Sequence, residues 1–236
     1  MGLFNKLTAY LNDDVDPPRN YLCDFSRAQK KLQPADIVLV EGRSRISRII
    51  RRLTHSTWTH SALFIGCIDD YEGTTIHELL KQNHSGSYQE PLLIESVAGK
   101  GTILSPLKNY ENDHIRICRP NGLRYGDIKK VIEYAAEHIG YTYDIRHIFD
   151  FWRFYLRSIF IPTHWQSKLF YTKPKQTKKE ICSLLIGNAF RQIKFPILPL
   201  VKSDDENTVV FIEHHTKMLV PSDFDYSPYF DIIKYP

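Results

Sequence analysis

Three residues, far apart in the sequence, could together form a thiol-based catalytic site. Cys182 lies at the start of an apolar, helix-like run, CSLLIGNAF, directly after the polar segment KKE. In the first turn of a helix, unpaired N–H groups and the positive end of the dipole stabilise a thiolate. The same N–H groups could bind the oxyanion that forms when a thiolate attacks an acyl carbon. The alternative is a buried structural thiol, because free cysteine is among the most buried residue types.

His60 and Glu95 are the candidate partners of this thiol. His60 opens the apolar run HSALFIG, where a strand would fix its side chain better than a loop, although it could also be a structural residue. Glu95 ends the apolar run LLIE, and a buried carboxylate needs a partner unless the strand has reached solvent there. Other histidines stand in polar or loop-like contexts that are typical of surface positions: His55, His77, His84 and His114.

The elements that must position these residues can be predicted from periodicity and from turn residues. Strands are predicted at 36–40, 60–66, 92–96, 114–119, 209–212 and 218–220. Helices are predicted over 44–53 with Ser44 as N-cap, from Asp127 to Gly140, from near Cys182, and briefly at 221–224. Strands, a helix, a variable segment, another helix and late strands indicate an α+β domain.

The order of five short motifs resembles that of a known family. DIVLV, a strand with Thr-His, a strand with Ile-Glu, Gly-x-x-Tyr-Asp and a Cys-Ser-x-Leu helix follow one another between about Gln33 and Phe190. This order is similar to that of the circularly permuted NlpC-type, papain-like cysteine hydrolases of the YiiX/YebB-like group. The resemblance implies a circularly permuted papain-like fold, with an antiparallel sheet packed against helices. The histidine strand then precedes the nucleophile helix.

The resemblance also implies roles for the matching positions. Cys182 would be the nucleophile, His60 the base and Glu95 the residue that orients His60. Tyr143, in GYTYD, would line the pocket or donate a hydrogen bond, and Thr59 and Trp152 are further substrate-binding candidates. The reaction would be thiolate attack on an amide or ester carbon, followed by hydrolysis of the thioester. No metal ion and no cofactor is predicted.

Two segments lie outside the minimal pattern. Residues 1–32 are predicted to form an amphipathic helix and a lead-in to the hydrolase domain at 33–236, and the helix is expected to pack on that domain rather than on a membrane. An aromatic-rich insertion at about 145–179 is either a packed segment or a lipid-facing lid. An arginine-rich helix face at 43–52 is either solvated or directed at an anionic or phospholipid surface.

Three functions remain open from the sequence. The first is hydrolysis of a peptide-type amide; the second is a lipid-directed phospholipase or acyltransferase, since lecithin:retinol acyltransferase-like proteins are related to this group. The third is a non-catalytic binding module. A net charge of +4 does not favour nucleic acid as a partner. Four cysteines without a CxxC pair, and no predicted signal peptide or membrane span, indicate a cytoplasmic protein, with peripheral membrane contact as the alternative.

Overall fold

The fold is built around an antiparallel sheet that is covered by helices. The computed structural model describes residues 3–18, 22–141, 182–203, 209–213 and 219–235. The strands in these ranges are β1 (Ile37–Glu41), β2 (His60–Gly66), β3 (Leu92–Val97), β4 (Gly101–Pro106), β5 (His114–Pro120), β6 (Pro199–Ser203), β7 (Val209–Glu213) and β8 (Phe230–Ile233). The helices are α1 (Leu3–Asn12), α2 (Phe25–Lys31), α3 (Arg45–Thr54), α4 (Thr75–Gln82), α5 (Tyr125–Glu137), α6 (Cys182–Gln192) and α7 (Pro221–Tyr226).

Six of the strands form one sheet in the order β4-β3-β2-β1-β5-β8, with antiparallel neighbours throughout. Strands β6 and β7 pair separately as a hairpin. The central strands are apolar along their length because both faces of the sheet are covered. This arrangement confirms the predicted α+β class, with an antiparallel sheet against helices.

Helix α6 packs on strands β2 and β3 of the sheet. Its buried residues Leu185, Ile186 and Phe190 join Leu63 and Ile94 in one apolar cluster between the helix and strands β2 and β3. Helix α5 packs alongside α6. Because this apolar stripe fixes the helix on the two strands, the first turn of α6 is held near the start of β2.

Several predicted elements are confirmed. The strand at 60–66 is found with the predicted bounds, and the strands predicted at 36–40, 92–96, 114–119 and 209–212 are displaced by no more than one residue at either end. The Ser44 cap of α3 is also present, since its side chain accepts a hydrogen bond from the Ser47 N–H.

Other elements were predicted wrongly or missed. Helix α5 begins at Tyr125, two residues before the predicted start, because Asp127 lies inside the first turn and accepts from the Arg124 N–H. The strand predicted at 218–220 is wrong at its described residues: Leu219 and Val220 lead directly into α7, and Val220 is the N-cap of that helix. Five elements had no prediction: α2, α4, β4, β6 and β8.

Candidate active site

Cys182 lies in the first turn of α6 and is buried. The neighbouring Ser183 donates to the carbonyl oxygen of Leu219 at 2.5 Å, which ties this turn to the segment before α7. The sulfur faces the start of β2, where it interacts with His60. The structure therefore brings together two of the three residues that the sequence singled out, across more than one hundred positions of chain.

His60 and Glu95 form a close pair on neighbouring strands. His60 Nε2 lies 2.5 Å from Glu95 Oε2, and the side chains are 20% and 3% exposed. Because Nε2 is engaged by the carboxylate, Nδ1 is the ring nitrogen left for the Cys182 thiol. The imidazole thus stands between a carboxylate and a sulfur, which is the order required of a base that a third group orients.

Two further residues hold Glu95, and sequence reasoning missed both. The Ser105 hydroxyl donates to Glu95 Oε1, and the Tyr110 hydroxyl donates to Glu95 Oε2. Ser105 lies on β4, which was not predicted, and Tyr110 lies in the short 3-10 helix Leu107–Tyr110 that follows. Ser105 stands in GTILSP, which does not alternate between polar and apolar residues, so its place beside Glu95 is readable only once β4 is paired with β3.

The charges of the site support one another. Burial would raise the pKa of the Cys182 thiol, but the hydrogen bond and positive charge of His60 outweigh it and lower that pKa. Burial would lower the pKa of His60, but its bonds to Cys182 and Glu95 raise that pKa to about 10. The bond and charge of His60 lower the pKa of Glu95 against its burial. Burial and the charge of Glu95 raise the pKa of Tyr110, so its hydroxyl remains a donor. The arrangement favours a thiolate–imidazolium pair at neutral pH.

Thr59 lines the same cleft but is turned to the backbone. Its hydroxyl accepts from the Gly42 N–H at 3.0 Å, and the side chain is 2% exposed. A Cβ built on Gly42 would lie 2.9 Å from this hydroxyl oxygen and 2.3 Å from Ser47 Oγ, so the close approach requires glycine. The visible role of Thr59 is to fix the backbone beside His60.

The arginine-rich helix is paired with the chain's own acidic segment. Arg48 contacts Asp16 at 2.5 Å, and Arg45 contacts Asp13 at 3.1 Å while its guanidinium lies over the Tyr10 ring at 4.0 Å. Arg43 and Arg51 are also in ion pairs, the former with Asp14 and Asp113, the latter with Asp16 and Glu41. These contacts hold the N-terminal segment against α3, and Asn12 and Asp14 line the cleft that contains Cys182. These four side chains are therefore engaged by intramolecular carboxylates, while Arg48 remains half exposed and Arg52 is exposed, so the face is both paired and solvated.

Three further predictions concern residues that the structure does not describe. Tyr143, Trp152 and the insertion at about 145–179 lie outside the described residues. In the ranges that are described, no group of three or more His, Cys, Asp or Glu side chains could hold a metal ion. None of the helices in those ranges has the length and apolar character that crossing a membrane requires.

Comparison with known proteins agrees with this architecture. A crystal structure titled metalloprotein yiiX, from Escherichia coli O157:H7, superposes with a TM-score of 0.53 at 14% identity, covering 86% of this chain and 97% of that chain. This likeness supports the fold alone. A search of curated proteins found no match. A family model described as a permuted papain-like amidase enzyme, YaeF/YiiX, C92 family, matches residues 31–182. The match spans more than half of the chain and confirms the resemblance inferred from the motif order, so this chain belongs to the permuted papain-like amidases of the YaeF/YiiX type.

Proposed function

We propose that this protein is a thiol amidase in which Cys182, His60 and Glu95 act as nucleophile, base and orienting carboxylate. Membership of an amidase family supports the reaction class. The observation that carries the residue assignment is the position of the His60 ring between Glu95 Oε2 and the Cys182 thiol. A peptide-type amide is the substrate class that fits best.

The chemistry follows from the arrangement. The Cys182 thiolate attacks the acyl carbon, and the carbonyl oxygen becomes an oxyanion within reach of N–H groups in the first turn of α6. The tetrahedral adduct collapses when the His60 imidazolium gives its proton to the leaving nitrogen, which leaves a thioester on Cys182. His60, now neutral, takes a proton from water as the water attacks the thioester. The acid product is then released, and the thiolate–imidazolium pair is restored. No step is assigned to a metal ion.

The four cysteines of the chain offer an internal comparison. Burial raises the pKa values of Cys23, Cys67 and Cys118, the last most strongly. Cys182 is the single cysteine whose pKa is lowered, and all four lie in described residues. A thiolate at neutral pH is therefore expected at one of the four positions.

The experiment is a pair of cysteine variants of the full chain, tested on short peptide amides and on matching acyl esters. Cys182→Ala should abolish turnover with the circular dichroism spectrum unchanged, whereas Cys67→Ser should keep wild-type turnover. Full turnover by the Cys182→Ala variant would contradict the proposal. A wild-type Cys182 that is inert to iodoacetamide at pH 7 would indicate the non-catalytic binding module.

The argument from the arginine-rich face for a lipid-directed enzyme is weakened. The arginines that favoured an anionic surface are paired with Asp13, Asp14 and Asp16, and the aromatic insertion lies outside the described residues. Preferential cleavage of acyl esters presented in anionic phospholipid vesicles, with no turnover of peptide amides, would revive it.

A further inference from the structure

Ser61 follows His60 on β2 and faces the helix that carries the nucleophile. Side chains alternate along a strand, so Ser61 shares a face with Leu63 and Ile65. Both of these belong to the apolar cluster beneath α6. Since His60 reaches Cys182 at the start of this helix, the next residue of the strand lies beside the same turn.

The backbone N–H of Ser61 points away from β1. Phe64 is turned to β1, because its N–H donates to the Asp36 oxygen at 2.8 Å and its own oxygen accepts from the Ala35 N–H at 2.9 Å. Hydrogen bonding alternates along an antiparallel strand, so the N–H groups of Leu63 and Ser61 point toward β3. The pairing of β2 with β3 starts at Leu63 with Ile94, and Ser61 lies before that first pair. Its N–H is therefore directed into the opening beside Cys182.

The side chain of Ser61 is fully buried, yet its hydroxyl has no partner of ordinary hydrogen-bond geometry in the described structure. Burying a hydroxyl without a partner is costly, and native structures contain few such groups. Two other buried serines near the site are satisfied: Ser96 shares a bond of 3.0 Å with Thr102, and Ser183 donates to Leu219. The exception thus lies next to the one sulfur that favours negative charge.

We propose that Ser61 is a second anchor of the Cys182 thiolate, donating from its backbone N–H and, after a small rotation, from its hydroxyl. The inference rests on the proposed role of Cys182 as nucleophile. The backbone and the side chain of Ser61 both contribute to the lowered pKa of Cys182, so the Ser61 hydroxyl is near enough to donate to the sulfur.

This anchor differs from His60 in a way that matters for the reaction. His60 loses its positive charge when it protonates the leaving nitrogen, whereas the two Ser61 donors are neutral and do not titrate in the working range. They would stabilise the thiolate as it departs from the thioester. Ser61 is thereby a positioning residue for both halves of the cycle.

The test is the pH dependence of Cys182 alkylation by iodoacetamide in the full chain, followed by peptide mass spectrometry. Ser61→Ala should raise the midpoint, so that the rate below it falls about tenfold to a hundredfold, the effect of one hydrogen bond to a charged group. Ser61→Thr, which keeps the hydroxyl, should restore most of the rate. At a pH below this midpoint, where the thiol is protonated and the Ser61 hydroxyl has no other partner, the melting temperature of Ser61→Ala should not fall.

Ser227, a buried serine that does not line the cleft containing Cys182, provides the control. The Ser227 hydroxyl donates to the Ile197 oxygen at 2.6 Å, so Ser227→Ala should lower the melting temperature and leave the Cys182 midpoint unchanged. A wild-type midpoint in Ser61→Ala, with Cys182 still a low-pKa thiol, overturns the Ser61 inference and spares the proposed function. A wild-type Cys182 that reacts only above the ordinary thiol pKa overturns both.

Discussion

Two histidine–glutamate pairs occur in this sheet with similar distances and burial, although His60 uses Nε2 and His114 uses Nδ1. His60 begins β2 and lies 2.5 Å from Glu95; His114 begins β5 and lies 2.9 Å from Glu41. The histidine side chains are 20% and 21% exposed, and the glutamates 3% and 8%. Burial and distance alone would not distinguish a catalytic pair from a structural one.

The surroundings of the two pairs differ. His60 also interacts with the Cys182 thiol, whereas the His114 ring packs on Trp58 with centroids 5.0 Å apart. Arg51 lies 3.7 Å from Glu41 and supplies it with a permanent positive charge. Glu95 is held by the hydroxyls of Ser105 and Tyr110, which carry no charge.

This difference is the reason for assigning the proposed chemistry to the pair of His60 and Glu95. Because the hydroxyls around Glu95 are neutral, its positively charged partner is the protonated ring of His60. The carboxylate therefore favours the imidazolium that a thiolate needs. Glu41 has a guanidinium in addition to its histidine, and the Trp58 ring beside His114 donates its N–H to Asp225. A histidine–carboxylate pair becomes a catalytic candidate through its third partner.

The largest expected effect separates the two histidines. His60→Gln should reduce amidase turnover by about 10⁴-fold, the upper end of the contribution of a general base. Because a buried thiol loses its counter-charge, alkylation of Cys182 at pH 7 should also fall. His114→Gln is the matched control and should stay within about twofold in both assays, which is the scale of an indirect effect. Equal losses in the two variants would contradict the comparison.

A smaller loss is expected at the carboxylates. Glu95→Gln should lower kcat by about 100-fold, because an amide neither favours the imidazolium nor fixes its orientation as a carboxylate does. Glu41→Gln should leave kcat unchanged and act on stability alone. Steady-state kinetics beside thermal melts will distinguish the two outcomes. A Glu41→Gln enzyme that loses as much kcat would mean that the second pair also belongs to the site.

The pH profile should distinguish the same two glutamates. His60 has a pKa raised to about 10, so its charged form is the main one at neutral pH and is lost as pH rises through about 10. The alkaline limb of kcat/KM should therefore lie near pH 10, because leaving-group protonation needs the imidazolium. Glu95→Gln removes one cause of the raised pKa and should move this limb to lower pH, whereas Glu41→Gln should not. An unmoved limb in Glu95→Gln would argue against its orienting role.

The smallest effect should come from Arg51, which lies 3.7 Å from Glu41 and donates to the Gly42 oxygen at 3.0 Å. Arg51→Ala removes the permanent cation beside Glu41 and should cost about 1 kcal/mol of unfolding free energy, since the side chain is partly exposed. Alkylation of Cys182 should be unaffected. Urea denaturation followed by fluorescence will measure the loss. A changed Cys182 reactivity in this variant would show that the two pairs are coupled.

Much of the site was predictable because its residues stand in strongly patterned elements. The run HSALFIG gave the bounds of β2, and the apolar residues after Cys182 indicated a helix. Glu95 was a candidate because it is a charged residue at the end of an apolar strand. The order of the motifs then connected it with His60 and Cys182. Periodicity reports which side chains are buried, and these three are exceptions in otherwise apolar segments.

The remaining contacts could not be predicted because they depend on how strands are placed side by side. Ser105 reaches Glu95 only because β4 pairs with β3, with Ile103 opposite Glu95. The arginines of α3 were read as a free surface because nothing in the sequence states that 13–16 returns to them. His114 was read as a plain surface residue, although Glu41 lies directly opposite it in the ladder.

From the sequence alone, periodicity indicated the α+β class, the order of the motifs indicated the family, and the resemblance to that family implied the three residues of the candidate triad. Only the tertiary structure decided that His60 Nε2 meets Glu95, which hydroxyls hold that carboxylate, and that the buried Ser61 hydroxyl has no partner among the described residues. Those answers depend on register and burial, which arise from long-range packing and leave no local pattern in the chain.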